Sequence, residues 1–189
     1  MENEQEKPDA GKVLISEPFL ADSNFSRSVI LLTEHNDMGT LGFVLNQPIK
    51  TCLHELFQDL DEETKIPLYK GGPVQLETLH YIHTDESLRE SAVEILPGLF
   101  FGGDFEKIKL QINIGAFNPK QFKFFVGYSG WGEDQLYDEL QEDSWVVSAL
   151  DVQDILSKDD NEDIWKKAMR NLGGEFAILA NAPLNPQWN

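Results

Sequence analysis

Phe122-Lys123-Phe124-Phe125-Val126-Gly127-Tyr128-Ser129-Gly130-Trp131-Gly132-Glu133-Asp134-Gln135-Leu136 is the stretch on which the reading of the whole chain turns. Residues 122–126 are aromatic and β-branched, the composition of a buried strand. Residues 135–142 follow with Leu136 and Leu140 one helical turn apart, the mark of a helix with a single apolar stripe. Between them stand three glycines within six residues, interleaved with Tyr128 and Trp131. A plain connecting turn carries small polar residues. Glycines at this density instead predict backbone that needs positive φ or close approach. The stretch therefore reads as a strand–turn–helix junction and as the leading candidate for a functional corner.

Working outward, residues 28–33 and 41–45 are apolar strands joined by the His35-Asn36-Asp37-Met38-Gly39 turn, a hairpin. Residues 13–15 form a short strand stopped by Pro18. Thr51 is placed to cap a short helix that carries Cys52, Leu53, Leu56 and Phe57. Gly71-Gly72-Pro73-Val74 is a tight turn. Residues 79–83, 92–96 and 99–103 read as strands, with a charged loop at 84–90. Residues 106–114 alternate like a strand. Yet Asp104 stands as an N-cap, Gly115 as a stop, and Phe105, Ile108 and Ile112 share a helical face, so a helix is expected. Residues 144–147 are a strand and 151–156 a helical turn. Asn161–Leu172 is a helix capped by Asn161, with Glu162 and Asp163 in its first turn and Ile164, Trp165, Ala168, Met169 and Leu172 on its apolar face. Residues 175–179 read as a last strand. Hairpins mixed with scattered helices make the class α+β. The expected organisation is a disordered acidic tail at 1–10 and one domain over 11–189.

Hydrophobic residues at 41% and aromatics at 11% are globular values. The net charge of −18 opposes binding to nucleic acid or to an anionic membrane, since affinity for polyanions comes from Lys and Arg. It favours solubility and cationic partners. A lone cysteine, Cys52, cannot form an intrachain disulfide and suits a reducing compartment. It reads as a buried, inert thiol. The polar start of the chain lacks an apolar leader segment, and no apolar run reaches the length of a membrane span, so a cytoplasmic protein is expected.

Gly127-Tyr128-Ser129-Gly130-Trp131 imitates a hydrolase elbow, but the fifth position is Trp131 where the elbow needs glycine. All four histidines (His35, His54, His80, His83) precede Ser129, against the chain order of that triad. Ser129 thus reads as a turn serine. His80 and His83 are three apart, and on a strand they point to opposite faces, which is no metal pair. Residues 159–163 imitate the start of a calcium loop, but Ile164 and Arg170 stand where it requires Gly and Glu. The pairs Gly71-Gly72, Gly102-Gly103 and Gly173-Gly174 match no phosphate loop. No metal or cofactor is expected. Of the four tryptophans, Trp131 alone has a setting that favours exposure or a cleft wall.

Taken together, several segments resemble the YqgE/AlgH family of bacterial proteins. They are residues 22–29 (Asp-Ser-Asn-Phe-Ser-Arg-Ser-Val); Glu34-His35; Gly39-Thr40-Leu41-Gly42-Phe43-Val44-Leu45-Asn46-Gln47-Pro48; Gly71-Gly72-Pro73-Val74 followed by His83; Gly127-Tyr128-Ser129-Gly130-Trp131; Gln135-Leu136 with Glu139-Leu140; and Trp145 and Trp165. The resemblance implies a branched, mostly antiparallel sheet curled into a pseudo-barrel with helices packed outside. It carries the label of transcriptional regulator and no assigned catalytic residues. The family usually has Ala near Thr40, a basic residue near Gln47, Ala in place of Ser129 and Gly in place of Asp134. The third departure weighs further against Ser129 as a nucleophile. The fourth suggests Asp134 as an N-terminal helix acid.

Three readings follow. The first is a non-catalytic regulatory protein that binds a small molecule or a protein partner and acts indirectly on transcription. Its candidate cleft comprises His35, Asn46, Gly71, Gly72, Pro73, His83, Tyr128, Ser129, Trp131 and Gln135. The second is a hydrolase or transferase with His35 or His83 as base. The third is an acidic interaction protein without a ligand.

Overall fold

The computed structural model describes residues 6–61, 63–158 and 161–183. Residues 1–5 of the expected tail lie outside this set. So do the side chains of Asn161, Glu162 and Asp163, and with them the expected cap, as well as Asp159 and Asp160 of the calcium-loop imitation.

One ten-stranded sheet carries the fold: β1 (Val13–Ser16), β2 (Val29–Asn36), β3 (Gly39–Val44), β4 (Pro48–Cys52), β5 (Pro67–Lys70), β6 (Val74–His83), β7 (Val93–Leu96), β8 (Leu99–Phe101), β9 (Phe122–Trp131) and β10 (Trp145–Ser148). The main order is β10-β1-β2-β3-β9-β6-β8-β7, with β4 and β5 branching from it. Pairing is antiparallel except between β5 and β9.

The branch point is β9. Val126 pairs with Leu79 of β6 and with Lys70 of β5, so both edges of the strand are taken there. Further on, β3 replaces β5, with Gly42 opposite Ser129 and Thr40 opposite Trp131. At the fork Gly71 donates its N–H to Val126 O (2.9 Å) and accepts Val44 N–H (2.8 Å). The junction expected from sequence is thereby corrected. Residues 127–131 are not a turn but the second half of a strand, because β3 and β6 supply their hydrogen bonds. The actual turn is Gly132–Asp134. Gly127, at φ +66, sits where β6 spends five steps from Val74 to Leu79 against two on β9.

Strands β1 and β2 are apolar without alternation because both faces are covered. Val13, Ile15, Val29 and Leu31 pack in one cluster with Ile95 and Leu99 from the far end of the sheet. That shared cluster shows the sheet curling toward itself, though it does not close. Leu14, Ile30 and Leu32 face the other way, toward Trp131, Leu136 and Trp145.

Among the described residues, six α-helices cover the sheet: α1 (Leu53–Leu56), α2 (Phe105–Asn113), α3 (Gln135–Gln141), α4 (Val152–Ile155), α5 (Asn161–Leu172) and α6 (Gly174–Leu179). The helix expected near 106–114 forms, and Asp104 caps it by accepting the N–H groups of Glu106 (3.1 Å) and Lys107 (3.3 Å). Helix α5 lays Trp165, Ala168 and Met169 into the main cluster, where Trp165 Nε1 donates to Ser16 O (3.0 Å).

Four expectations are corrected. The last strand is helix α6, since Phe176 and Leu179, one turn apart, join the same cluster as Leu172. The cap of α1 is Cys52 rather than Thr51. Glu55 reaches back to the Cys52 N–H (2.7 Å), and strand β4 claims Thr51. Cys52 itself is only half-buried. The loop at 84–90 contains a 3₁₀ turn, Glu86–Ser91, which Asp85 caps.

Candidate functional site

The turn of the β2–β3 hairpin, the end of β9 and the start of α3 meet at one corner. Pairing does this: Thr40 lies opposite both His35 and Trp131. Three adjoining cavities open around it. The first, about 380 Å³, lies between Glu34, Met38, Thr40, Val74, Tyr128 and Trp131. The second, about 510 Å³, shares Asn36, Gly39 and Thr40 with it and extends to His35, Asp37, Glu133, Asp134 and Tyr137. The third, about 350 Å³, shares Gly130 and Trp131 and reaches Asp22, Phe25, Pro73, Gln135, Glu139 and Trp145. Six carboxylates line these cavities, with no lysine or arginine among the lining residues.

The wall between them is an aromatic group held by one acid. Phe25 stacks on Trp131 (6.3 Å) and meets Trp145 edge-on (5.5 Å). Glu139 Oε2 accepts both indole N–H groups, from Trp131 at 2.9 Å and Trp145 at 2.7 Å. Its Oε1 accepts from Gln135 Nε2 (3.0 Å). Gln135 in turn accepts Gly132 N–H (3.1 Å), closing the turn into α3. Asp134 precedes the helix with φ 60 and makes no side-chain cap bond. Trp131, expected exposed or in a cleft wall, lines the cleft while remaining 95% buried, its relative exposure being 5%.

Of the residues singled out from sequence, His35, Tyr128, Trp131, Gln135 and Pro73 line these cavities. Gly71, Gly72 and Ser129 stand just behind, at the fork. The Ser129 hydroxyl is buried and donates to Gly71 O (3.0 Å), which leaves it no role as a nucleophile. Asn46 is also buried. It accepts Val29 N–H (3.0 Å) and donates to Arg27 O (2.8 Å), tying the preceding loop to the sheet.

His83 pairs with Phe122 at the opposite end of β9, nine residues and about 30 Å from Trp131. It is fully buried between Phe100 and Phe122, and its Nε2 meets Gly102 O at 3.0 Å. Desolvation lowers the pKa of His83, partly offset by Gly102 and Asp85, and lowers that of His80 as well. The folded protein therefore binds fewer protons than the unfolded chain between those depressed values and 6.5. Stability is intact above about pH 6.5 and falls as pH drops through that window. Urea midpoints measured from about pH 8 down to about pH 5 should show this loss, and His83→Gln should flatten it. A variant with the wild-type slope would put the sensitivity elsewhere.

The candidate cleft drawn from sequence left out Asp22, Glu34 and Glu139, although all three stand in segments that carry the family resemblance. For Glu139 a signal existed, since Gln135 and Glu139 are one turn apart on the helix that follows Trp131. Among the described residues no cluster of three His, Cys, Asp or Glu could hold a metal ion, and no helix is long and apolar enough to cross a membrane.

Fold and corner together define an α+β protein with a branched, open sheet and a ligand-sized, carboxylate-lined recess. The chain belongs to the AlgH-like family, whose model matches residues 13–177. It is similar to a UPF0301 protein of Chlorobaculum parvum, 42% identical over 189 residues that cover all of both chains. A UPF0301 protein of Cytophaga hutchinsonii is 40% identical over 95% of this chain and 98% of its own. Among solved structures, the AlgH protein of Pseudomonas aeruginosa superposes with a TM-score of 0.69 at 28% identity, covering 95% of this chain and 98% of that one. A crystal structure of a Corynebacterium diphtheriae protein shares the fold, with a TM-score of 0.75 at 22% identity over 94% of each chain.

Proposed function

We propose that the protein is a non-catalytic binding module whose corner takes an organic cation, either a small amine or the basic side chain of a partner protein. The carrying observation is the lining: six carboxylates and several aromatic faces, with no lysine or arginine. Carboxylates attract an ammonium group, and ring faces add cation–π contact. The net charge of −18 steers the same ligands and repels DNA. An influence on transcription, the label that goes with the YqgE/AlgH resemblance, would then run through the bound ligand or partner and not through an operator. Thermal shift with spermidine, with an arginine-rich peptide and with ATP as an anionic control tests this. At 100 times its Kd the true class of ligand adds about 2.7 kcal/mol, a rise of several degrees for a domain of this size. Glu34→Gln/Asp37→Asn, both exposed, should remove the shift while keeping the fold. A larger shift from ATP, or none from either cation, would sink the reading.

A second reading rests on the His35 Nδ1–Thr40 Oγ1 hydrogen bond of 2.7 Å at the cavity wall, a base beside a hydroxyl. It requires Thr40 to be acylated or phosphonylated by an active-site probe, and Thr40→Val to abolish the labelling.

A further inference from the structure

The chain carries 33 acidic and 15 basic residues, and each cavity at the corner holds at least one carboxylate. A fourth cavity breaks this pattern. It measures about 470 Å³ and lies between Thr84, just past β6, Lys120, and the segment running from α4 to Lys158. Val152 and Leu156 give it an apolar floor, Lys120 and Lys158 line it, and among the described residues none that lines it is acidic. Both lysines are exposed as residues, while the Lys158 ammonium group is partly desolvated. The wall is anchored from beneath. Lys123, buried in β9, donates to the carbonyls of Ile155 (3.2 Å) and Ser157, and Thr84 N–H donates to Gln121 O (3.0 Å). The cavity is thus bounded by backbone tied to the central strand.

We propose that this cavity is a second binding site, separate from the acidic corner, for a small amphiphilic carboxylate. The alkyl chain lies on Val152 and Leu156, and the carboxylate meets the ammonium groups of Lys120 and Lys158. The volume is in the range of small-molecule sites, which are mostly apolar with a few polar groups that fix orientation. Desolvation alone draws the Lys158 pKa below its usual value, with no carboxylate among the described residues opposing it. An incoming carboxylate would supply that missing counter-charge. Two exposed ion pairs add modest affinity, and the apolar chain supplies the rest.

Isothermal titration of the full chain with octanoate, with octylammonium as the charge control and with butyrate as the length control, tests the proposal. Octanoate should bind one to one and butyrate far more weakly. Lys120→Gln/Lys158→Gln should weaken octanoate about tenfold. Val152→Asp should abolish octanoate binding and leave any octylammonium heat unchanged, because that ligand belongs to the acidic corner. Octanoate binding that ignores both variants, or its absence from the wild type, overturns the proposal. Asp159 and Asp160 follow directly in sequence. If octanoate binds only to Asp159→Asn/Asp160→Asn, the occupant is the chain's own carboxylate, and the proposal is equally overturned.

Discussion

Glu139→Ala is expected to lower stability by about 3 kcal/mol and the melting temperature by about 10 °C. The carboxylate is the partner of two indole N–H groups, those of Trp131 (2.9 Å) and Trp145 (2.7 Å). Their residues are 5% and 1% exposed, so water reaches the freed indole groups chiefly through the third cavity, which replaces the lost acceptor only in part. A buried donor left unmet costs about 1–3 kcal/mol. Two of them, with some relaxation of the helix, bring the total to the stated figure. Glu139→Gln separates shape from charge. Its amide oxygen still has two lone pairs for the two indoles, but as a neutral acceptor, so roughly half the loss should remain. Urea denaturation followed by tryptophan fluorescence reads both variants. An alanine variant within about 0.5 kcal/mol of wild type would mean that the indoles are satisfied in some other way. The same geometry makes Trp131→Ala a poor probe of ligand binding, because it dismantles this wall before it reports on any cavity.

The corner was partly legible in the sequence. Trp131 among glycines, Tyr128 beside it and Gln135 at the head of α3 all belong to one continuous stretch, and local pattern finds them. Helix α2 was legible for the same reason, since Asp104 and the Phe105–Ile108–Ile112 spacing are local signals. What could not be read was pairing between distant strands. Nothing near Thr40 announces that it will lie opposite Trp131, and so the acids at Glu34, Asp37 and Asp22 stayed scattered along the chain. The resemblance to a family assembled Asn46 and His83 with the corner, but adjacency in a motif set is not adjacency in space. Asn46 pins a loop, and His83 lies at the far end of β9. The glycine-rich stretch misled in a further way. Glycine marks turns, yet it also marks places where two backbones must touch, and the second reason is the operative one along residues 127–131.

That distinction can be measured at Gly72, where alanine is expected to cost more than about 4 kcal/mol and to leave little folded protein. A Cβ there would stand 2.2 Å from Tyr128 O, 2.3 Å from Tyr128 C and 2.4 Å from Ser129 N. All three are backbone atoms of the central strand, so no side-chain rotation relieves the overlap. The chain before β6 must instead lift away from β9. That motion threatens the bonds at the fork: Gly71 N–H to Val126 O (2.9 Å), Val44 N–H to Gly71 O (2.8 Å) and Ser129 Oγ to Gly71 O (3.0 Å). Overpacking relieved by side chains costs about 1–3 kcal/mol; backbone separation adds about 1 kcal/mol for each hydrogen bond lost. Two other glycines isolate the cause. Gly98 has open space around its would-be Cβ but φ +78, so alanine there should cost only the left-handed strain of about 1–2 kcal/mol. Gly132 has open space and no such φ, so alanine there should be neutral within about 0.5 kcal/mol. Thermal melts of the three variants should therefore rank Gly72→Ala far below Gly98→Ala, and Gly98→Ala below Gly132→Ala. A Gly72→Ala protein that melts within a few degrees of wild type would show that β9 and the chain before β6 do not touch. The forked sheet would then lose the contact that positions Tyr128 and Trp131 at the corner.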